Sequence, residues 1–429
     1  MQIIMTDIYG RKKVNVYDLL DSYIESNGIV LNKECYYQYN IQKGIWEKKS
    51  QKEIIRDISH FLEDICNNMW NTAVEREVKV NLDKRVNIVK RMNPHFNFVS
   101  LENRVMNVAN GKVGRHKEKY YLTTYLPVEY HKKATCPLFD KFLSEICCGK
   151  KERMDAIREM LGYCLTKDTS AQCSFYLYGT GANGKSVLMN VMQALLGEDN
   201  YVCASPENLQ ETFGCGDLED KRVVFTSDMS KKDLRYLSSG IMKQISGGDV
   251  IRSEKKYNDS VKIRSISKIV ISSNHMLNFA DDSTIGAIRR YVIIPFEYTI
   301  PKTERNVHLE KELRAELPGI LNEAVLGYRR LRRNNYVFSC QEESDSLIQD
   351  VIRKDVSFEK FIEEKVVYCQ NDFLSYKELG NAYLEWAENK QQVVACPSSR
   401  TMGDIITQSI AGSVLRKRNQ RGVLNIRLN

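Results

Sequence analysis

With 429 residues, 42% hydrophobic and 28% charged, the chain has the length for two or three domains and the balance of a soluble globular protein. A net charge of +8 is modest, and no apolar run approaches the ~20 residues needed to cross a bilayer, which argues against an integral membrane protein. Twelve cysteines are scattered without C-x-x-C spacing and six histidines are dispersed, so a zinc site is not expected and the thiols read as small, reduced core residues. The opening MQIIMTDIYGRKKV lacks a signal-peptide layout, so the expected location is cytoplasmic, with no membrane partner.

Residues 1–84 read as an α/β region whose role the sequence does not assign. Helical patterns run over 17–24 and 54–69, and CYYQYNIQKGIWEKK (35–49) reads as a hairpin turning at Lys43-Gly44. Its aromatic residues could stack bases, but a small β core is the favoured reading.

The most informative segment is GTGANGKS (179–186), which has the form G-x-x-x-x-G-K-[S/T]. Glycines let successive amides turn toward a polyphosphate, Lys185 can reach the β- and γ-phosphates, and Ser186 can hold Mg²⁺. A short apolar strand (173–179) precedes the loop. A helix (186–197) follows it, with Val187, Val191 and Leu195 on one face. Farther on, the apolar run Val223 to Thr226 leads to Asp228, where a carboxylate at a strand tip can serve Mg²⁺ and its water. KQISGGDVIRSEKKYNDSVKIRSISKIVISSNHML (243–277) reads as a turn, a basic hairpin and a buried strand ending at Asn274, whose amide can orient the attacking water. IGAIRRYVIIPF (285–296) puts Arg289 and Arg290 just before another apolar strand, where an arginine can reach a neighbouring subunit's γ-phosphate.

The polar stretch 334–346 reads as a linker, and the last 75 or so residues as a separate module. A helix is expected over 358–367. Ser375 and Glu378 form a capping box opening a second helix through Trp386, and Ser398 or Ser399 caps a third over 402–410. Strands over 414–417 and 423–428 flank a basic turn. Between 391 and 429 six cations (Arg400, Arg416, Lys417, Arg418, Arg421, Arg427) face one acid, Asp404. Three helices and a basic hairpin suggest a winged helix, with the third helix in a DNA groove and Arg416, Lys417, Arg418 and Arg421 on phosphates.

The ordered set GTGANGKS, VVFTSD, KQISGGDVIRSEKKY, KIVISSN and RRYVIIPF resembles the superfamily 3 helicases, specifically the phage- and plasmid-type primase-helicases. The resemblance covers roughly residues 85–300. It implies an α/β fold: a P-loop, AAA+-like ATPase core over 166–333, preceded by a mostly helical segment (85–165) and followed by a winged-helix-like domain (347–429). It implies ATP and Mg²⁺ as cofactors. Gly179, Gly181, Ala182, Asn183, Gly184, Lys185, Ser186 and Val187 would form the nucleotide site, with Ser186 and Asp228 at the metal. Asn274 takes the polar-sensor position and Arg289 the arginine finger, with Arg290 as substitute. Lys255 and Lys256 sit on a hairpin that would grip single-stranded DNA in a ring's pore. One departure concerns the second strand tip, which carries Asp228 without an adjacent glutamate and leaves the general base open. Asp249 and Glu254 are candidates to assist.

The implied function is an ATP-driven replicative DNA helicase of a mobile element, in the host cytoplasm, moving 3′ to 5′ on single-stranded or forked DNA as a homo-hexamer. The N-terminal region is too short for a primase catalytic domain, so a separate primase or initiator is an expected partner. The alternative is an origin-binding initiator that uses ATP as an assembly switch and recruits another helicase. A small-molecule kinase fits neither the size, the basic hairpin nor the paired arginines.

Overall fold

Asn15 caps the first helix, Val16–Asn27, by accepting from the Asp18 amide, and Gly28 ends it in the left-handed region. Leu19, Leu20, Tyr23 and Ile24 then fall on one buried stripe. Ser50 and Glu53 form a reciprocal capping box at the start of Gln51–Ile65. A third helix, Thr72–Arg85, capped by Asn71, completes a small core with Ile54, Ile58 and Leu62. The expected hairpin is present as Cys35–Asn40 and Ile45–Lys49. Its Trp46 is buried, stacked on Tyr121 and donating from Nε1 to the Glu118 carbonyl (3.0 Å), so these aromatics make core.

The computed structural model describes residues 2–211, 214–227, 229, 233–237, 239–255, 258–277, 289–355, 357–389, 395–416 and 421–429. Side chains at 235, 253–255, 258–261, 304, 352–355, 357 and 416 are outside that description. Asp228, Lys256, Lys417 and Arg418 therefore lie outside the described residues, and Lys255, Arg416 and Glu254 are placed by backbone alone.

The segment 85–165 is not mostly helical. Its first half folds as a four-stranded sheet over 98–126, in the order Tyr125–Leu126, Phe98–Leu101, Val105–Asn107, Lys112–Gly114. The reason is local: these are short apolar runs broken by Asn-Gly at 110–111, with no 3.6-residue stripe. Helices begin at Pro137–Ile146 and continue with Lys151–Cys164. The latter packs on Leu317–Arg333 so closely that a Cβ at Gly162 would lie 1.9 Å from the Ala324 carbonyl oxygen, and one at Gly327 would lie 2.4 Å from the Arg158 backbone. Only paired glycines allow that contact.

Among the described residues, five parallel strands form the central sheet in the order Tyr201–Cys203, Val223–Thr226, Lys268–Ser273, Ser174–Tyr178, Tyr291–Pro295. The four long ones are almost wholly buried and mainly apolar because both faces are covered, as parallel sheets require. Phe175, Leu177, Val223 and Phe225 face one core, with Leu188 and Met192 of the helix Lys185–Leu196. Tyr176, Ile269, Ile271 and Ile293 face the other. From Ser174–Tyr178 the chain runs to one edge of the sheet and returns last to the strand on its other side. Such a reversal opens a crevice at the strands' carboxyl ends.

The polar stretch 334–346 is not a linker. It runs into the helix Gln341–Asp355, whose Ile348 and Val351 pack in the second core. Ser344 is fully buried and accepts from the Ile293 amide (2.8 Å), finishing the sheet's edge. Glu343 holds buried Arg153 through two bonds of 2.7 and 2.6 Å.

The C-terminal module has its own core around Phe358, Phe361, Leu379, Tyr383 and Ile406. Its first helix ends early, at Ser357–Lys365, and the chain enters a strand, Val366–Ser375, that sequence patterning missed. A bulge between Tyr368 and Phe373 breaks the alternation. The Ser375–Glu378 capping box opens Tyr376–Asn389, and Ser398 caps Ser399–Ser409. Strands Val414–Arg416 and Gly422–Leu428 complete an antiparallel sheet with Val366–Ser375.

Candidate functional site

The crevice at the carboxyl end of Ser174–Tyr178 holds the glycine-rich loop. Gly184 sits at φ 84 as the N-cap of Lys185–Leu196, a left-handed turn that directs the helix's first amides into the crevice. A Cβ there would also strike Ile146 and Phe142, so the loop lies directly on Pro137–Ile146.

Lys185 is 5% exposed. Its Nζ donates to the Gly179 carbonyl (2.6 Å), Asn183 Oδ1 (2.9 Å) and Asn274 Oδ1 (3.2 Å). All three acceptors are neutral, and burial pushes the ammonium below the ordinary lysine range. A buried cation on neutral acceptors retains its attraction for an anion. Asn183 is fixed in turn by donating to the Phe296 carbonyl (3.1 Å). Thus Lys185 and Asn274, 89 residues apart, meet at the mouth of one cleft of about 530 Å³, with Gly181, Ala182, Gly184, Ser186 and Val187 on its wall. Ser186 is exposed in the first turn of the helix, where a hydroxyl can join a Mg²⁺ shell. Among the described residues no cluster of three His, Cys, Asp or Glu could hold a metal.

Other expected residues lie elsewhere. Arg289 is exposed and Arg290 partly buried, and neither lines the cleft. The Arg290 Nε and Nη1 atoms are buried without a hydrogen-bond partner among the described residues, beside Gly247 of the same chain. Asp249 does not line the cleft either; it starts the hairpin, its carbonyl accepting from Ser265 (3.0 Å). That hairpin is present as Val250–Lys255 and Asn258–Arg264, with Lys255 opposite Asn258. Arg421 is exposed next to the last strand.

Sequence reasoning missed the cleft's far wall. It comprises Leu138, Lys141, Phe142 and Glu145 of one helix, and Ile300, Arg305, Asn306 and Leu309 from the segment after Tyr291–Pro295. The available signal was positional: IPKTERN follows an apolar strand at the sheet's carboxyl edge, where ligands of such sheets bind.

Comparison with known proteins places these features in context. Residues 5–148 match the family described as D5 N terminal like, and residues 177–290 match a family of unknown function, DUF5906. The chain is 25% identical over 281 residues to "Putative helicase L207/L206" of Acanthamoeba polyphaga mimivirus, covering 62% of this chain and 29% of that protein. It is 25% identical over 169 residues to "Primase D5" of Fowlpox virus (strain NVSL), covering 37% and 21%. It therefore spans less than a third of the length of either curated relative. In fold it is similar to the apo structure of the NrS-1 C-terminal region, with a TM-score of 0.56 at 12% identity over 97% of this chain and 99% of that one. A second form of that region gives 0.55 at 13% identity. Parts of the chain are thus similar to viral proteins named helicase and primase, and its fold is similar to that of the NrS-1 C-terminal region. The D5-type match also takes in residues 5–84, to which the sequence alone assigns no role.

No helix among the described residues is long and apolar enough to cross a membrane.

Proposed function

We propose that the chain is an ATP-hydrolysing DNA helicase of viral or mobile-element replication, working as a ring on single-stranded or forked DNA. The observation that carries this reading is the Lys185 ammonium, buried on Gly179, Asn183 and Asn274 where the loop opens into the cleft. The relatives named helicase and primase support the biological setting.

In this reading Lys185 and the loop amides would hold the β- and γ-phosphates, and Ser186 with Asp228 would hold Mg²⁺, whose bound charge would offset that of the phosphates. Asn274 orients the attacking water. Arg289 completes a neighbouring subunit's site, which accounts for its exposure away from its own cleft. The hairpin carrying Lys255 and Lys256 holds the DNA backbone. The C-terminal module, three helices with an antiparallel sheet, acts as a winged helix. That arrangement also favours the second reading, an ATP-switched initiator binding duplex DNA.

Strand displacement on forked duplexes with a 3′ or a 5′ tail, with ATP and Mg²⁺, separates the two. Wild type is expected to unwind the 3′-tailed fork, and Lys185→Ala to lose unwinding. Tight DNA binding with no unwinding on either tail would remove the motor and leave the initiator.

A further inference from the structure

We propose that Arg305 contacts the phosphate chain of the nucleotide bound by its own subunit, as a second cation of the cleft beside Lys185. The proposal rests on the nucleotide-binding reading above and names a residue outside the glycine-rich loop, the strand tips and the finger position.

The geometry comes first. Arg305 lines the same cleft as Lys185 and Ser186. Its segment is joined to the loop, because Ile300 donates its amide to the Ala182 carbonyl (2.8 Å). Arg305 folds back on that anchor, its Nε donating to the Ile300 carbonyl (3.3 Å). Beyond it, Asn306 bonds the His308 amide (2.8 Å) and Glu312 (2.8 Å), and Glu310 accepts from Asn190 of the loop helix (2.9 Å). The segment is thus held to the phosphate-loop unit at both ends, so Arg305 travels with the loop.

Charge is the second part. Of the other ionisable residues on the wall, Lys141 and Glu145 lie 3.9 Å apart and offset one another. Lys185 sits on neutral acceptors, and no carboxylate pairs with Arg305 among the described residues. Among the described residues, the cleft wall therefore presents two cations that no carboxylate pairs, suited to a polyphosphate. With Nε already bound to a carbonyl, the guanidinium can offer its terminal N–H groups, and its planar fork matches phosphate oxygens better than an ammonium does.

The test is equilibrium binding of ATP to the full-length protein at several salt concentrations, for wild type, Lys185→Ala, Arg305→Ala and Arg305→Lys. Losing one charge-assisted contact is expected to weaken ATP binding of Arg305→Ala by about tenfold at low salt. The gap should narrow as salt rises, and Arg305→Lys should recover part of the affinity. The proposal is overturned if Arg305→Ala binds ATP like wild type. It is equally overturned if Arg305→Lys is as weak as Arg305→Ala with a salt-independent gap, the mark of a segment that has lost its mooring. A folded wild type that binds no ATP sinks the nucleotide reading itself. Loss in Lys185→Ala with normal binding in Arg305→Ala removes Arg305 alone.

Discussion

Lys268 is a buried cation at the opposite end of the sheet from the phosphate loop, with no part in the proposed chemistry. It starts the strand Lys268–Ser273, is 1% exposed, and lies over the Tyr163 ring at 5.0 Å. Its Nζ donates to the carbonyls of Thr166 and Ile266. Burial, helped by Arg222 and opposed by Cys164, Asp168 and Cys173, pushes this lysine down to about 7. The unfolded chain keeps the Lys268 proton up to the ordinary lysine range near 10.5, whereas the folded chain releases it above about 7. Between those limits the unfolded state binds more protons, so this group makes stability rise with pH. Thermal unfolding of wild type and Lys268→Met from pH 7 to 9.5 checks it. The wild-type midpoint should gain on the variant as pH increases, and parallel curves would show that Lys268 is not held as described.

At the scale of elements, the helix Gln341–Asp355 shows what packing adds to a polar sequence. Arg153 is 1% exposed and is bound by Glu343, by Glu297 (2.9 Å) and by the Pro295 carbonyl (3.3 Å), so one guanidinium joins the helices 151–164 and 341–355 to the end of an edge strand. Glu343→Ala leaves that guanidinium short of its bidentate partner and is expected to cost ~3 kcal/mol in urea unfolding. The Arg153 hydrogen bonds hold the Glu343 carboxyl down at about 2, against the opposing effect of burial and with further help from Lys150. A lowered carboxyl stabilises the fold above its ordinary value of 4.5 and loses that contribution as pH falls from there toward 2. The difference between wild type and Glu343→Ala should therefore shrink on acidification through that window. A constant difference would refute the ion pair as its cause. This element also marks where sequence reading stops. The hairpins at 35–49 and 250–264, the capping box at 375 and the strand–loop–helix at 174–196 rest on local spacing, and all were readable. Glu343 and Ser344 look like part of a solvated linker because their burial depends on Arg153 and Ile293, far away in the chain. The candidate site divides likewise. The Lys185 loop and Asn274 follow motif spacing, whereas Lys141, Glu145 and Arg305 reach the cleft only through tertiary packing.

For the whole molecule the decisive matter is whether one chain contains a complete site. Lys185, Asn183 and Asn274 converge within a subunit, while Arg289 is exposed away from that cleft. If Arg289 acts on a neighbour, each working site takes Lys185 from one copy and Arg289 from the next, and a lesion in either can be supplied from another chain. Lys185→Ala and Arg289→Ala should each lose hydrolysis when tested alone, the latter by a factor on the order of a thousand while still binding ATP. Mixed after dissociation and reassembly, the two inactive variants should recover part of the wild-type ATPase. An interface that pairs the intact Lys185 of an Arg289→Ala subunit with the intact Arg289 of a Lys185→Ala subunit is complete. Recovery should rise and then fall as the mixing ratio passes through equality, because complete interfaces are most frequent there. A subunit carrying both substitutions, mixed with either single variant, should restore nothing, since none of those interfaces combines both intact groups. Absence of recovery from the two single variants, in assemblies shown to exchange subunits, would mean that Arg289 serves its own chain or none.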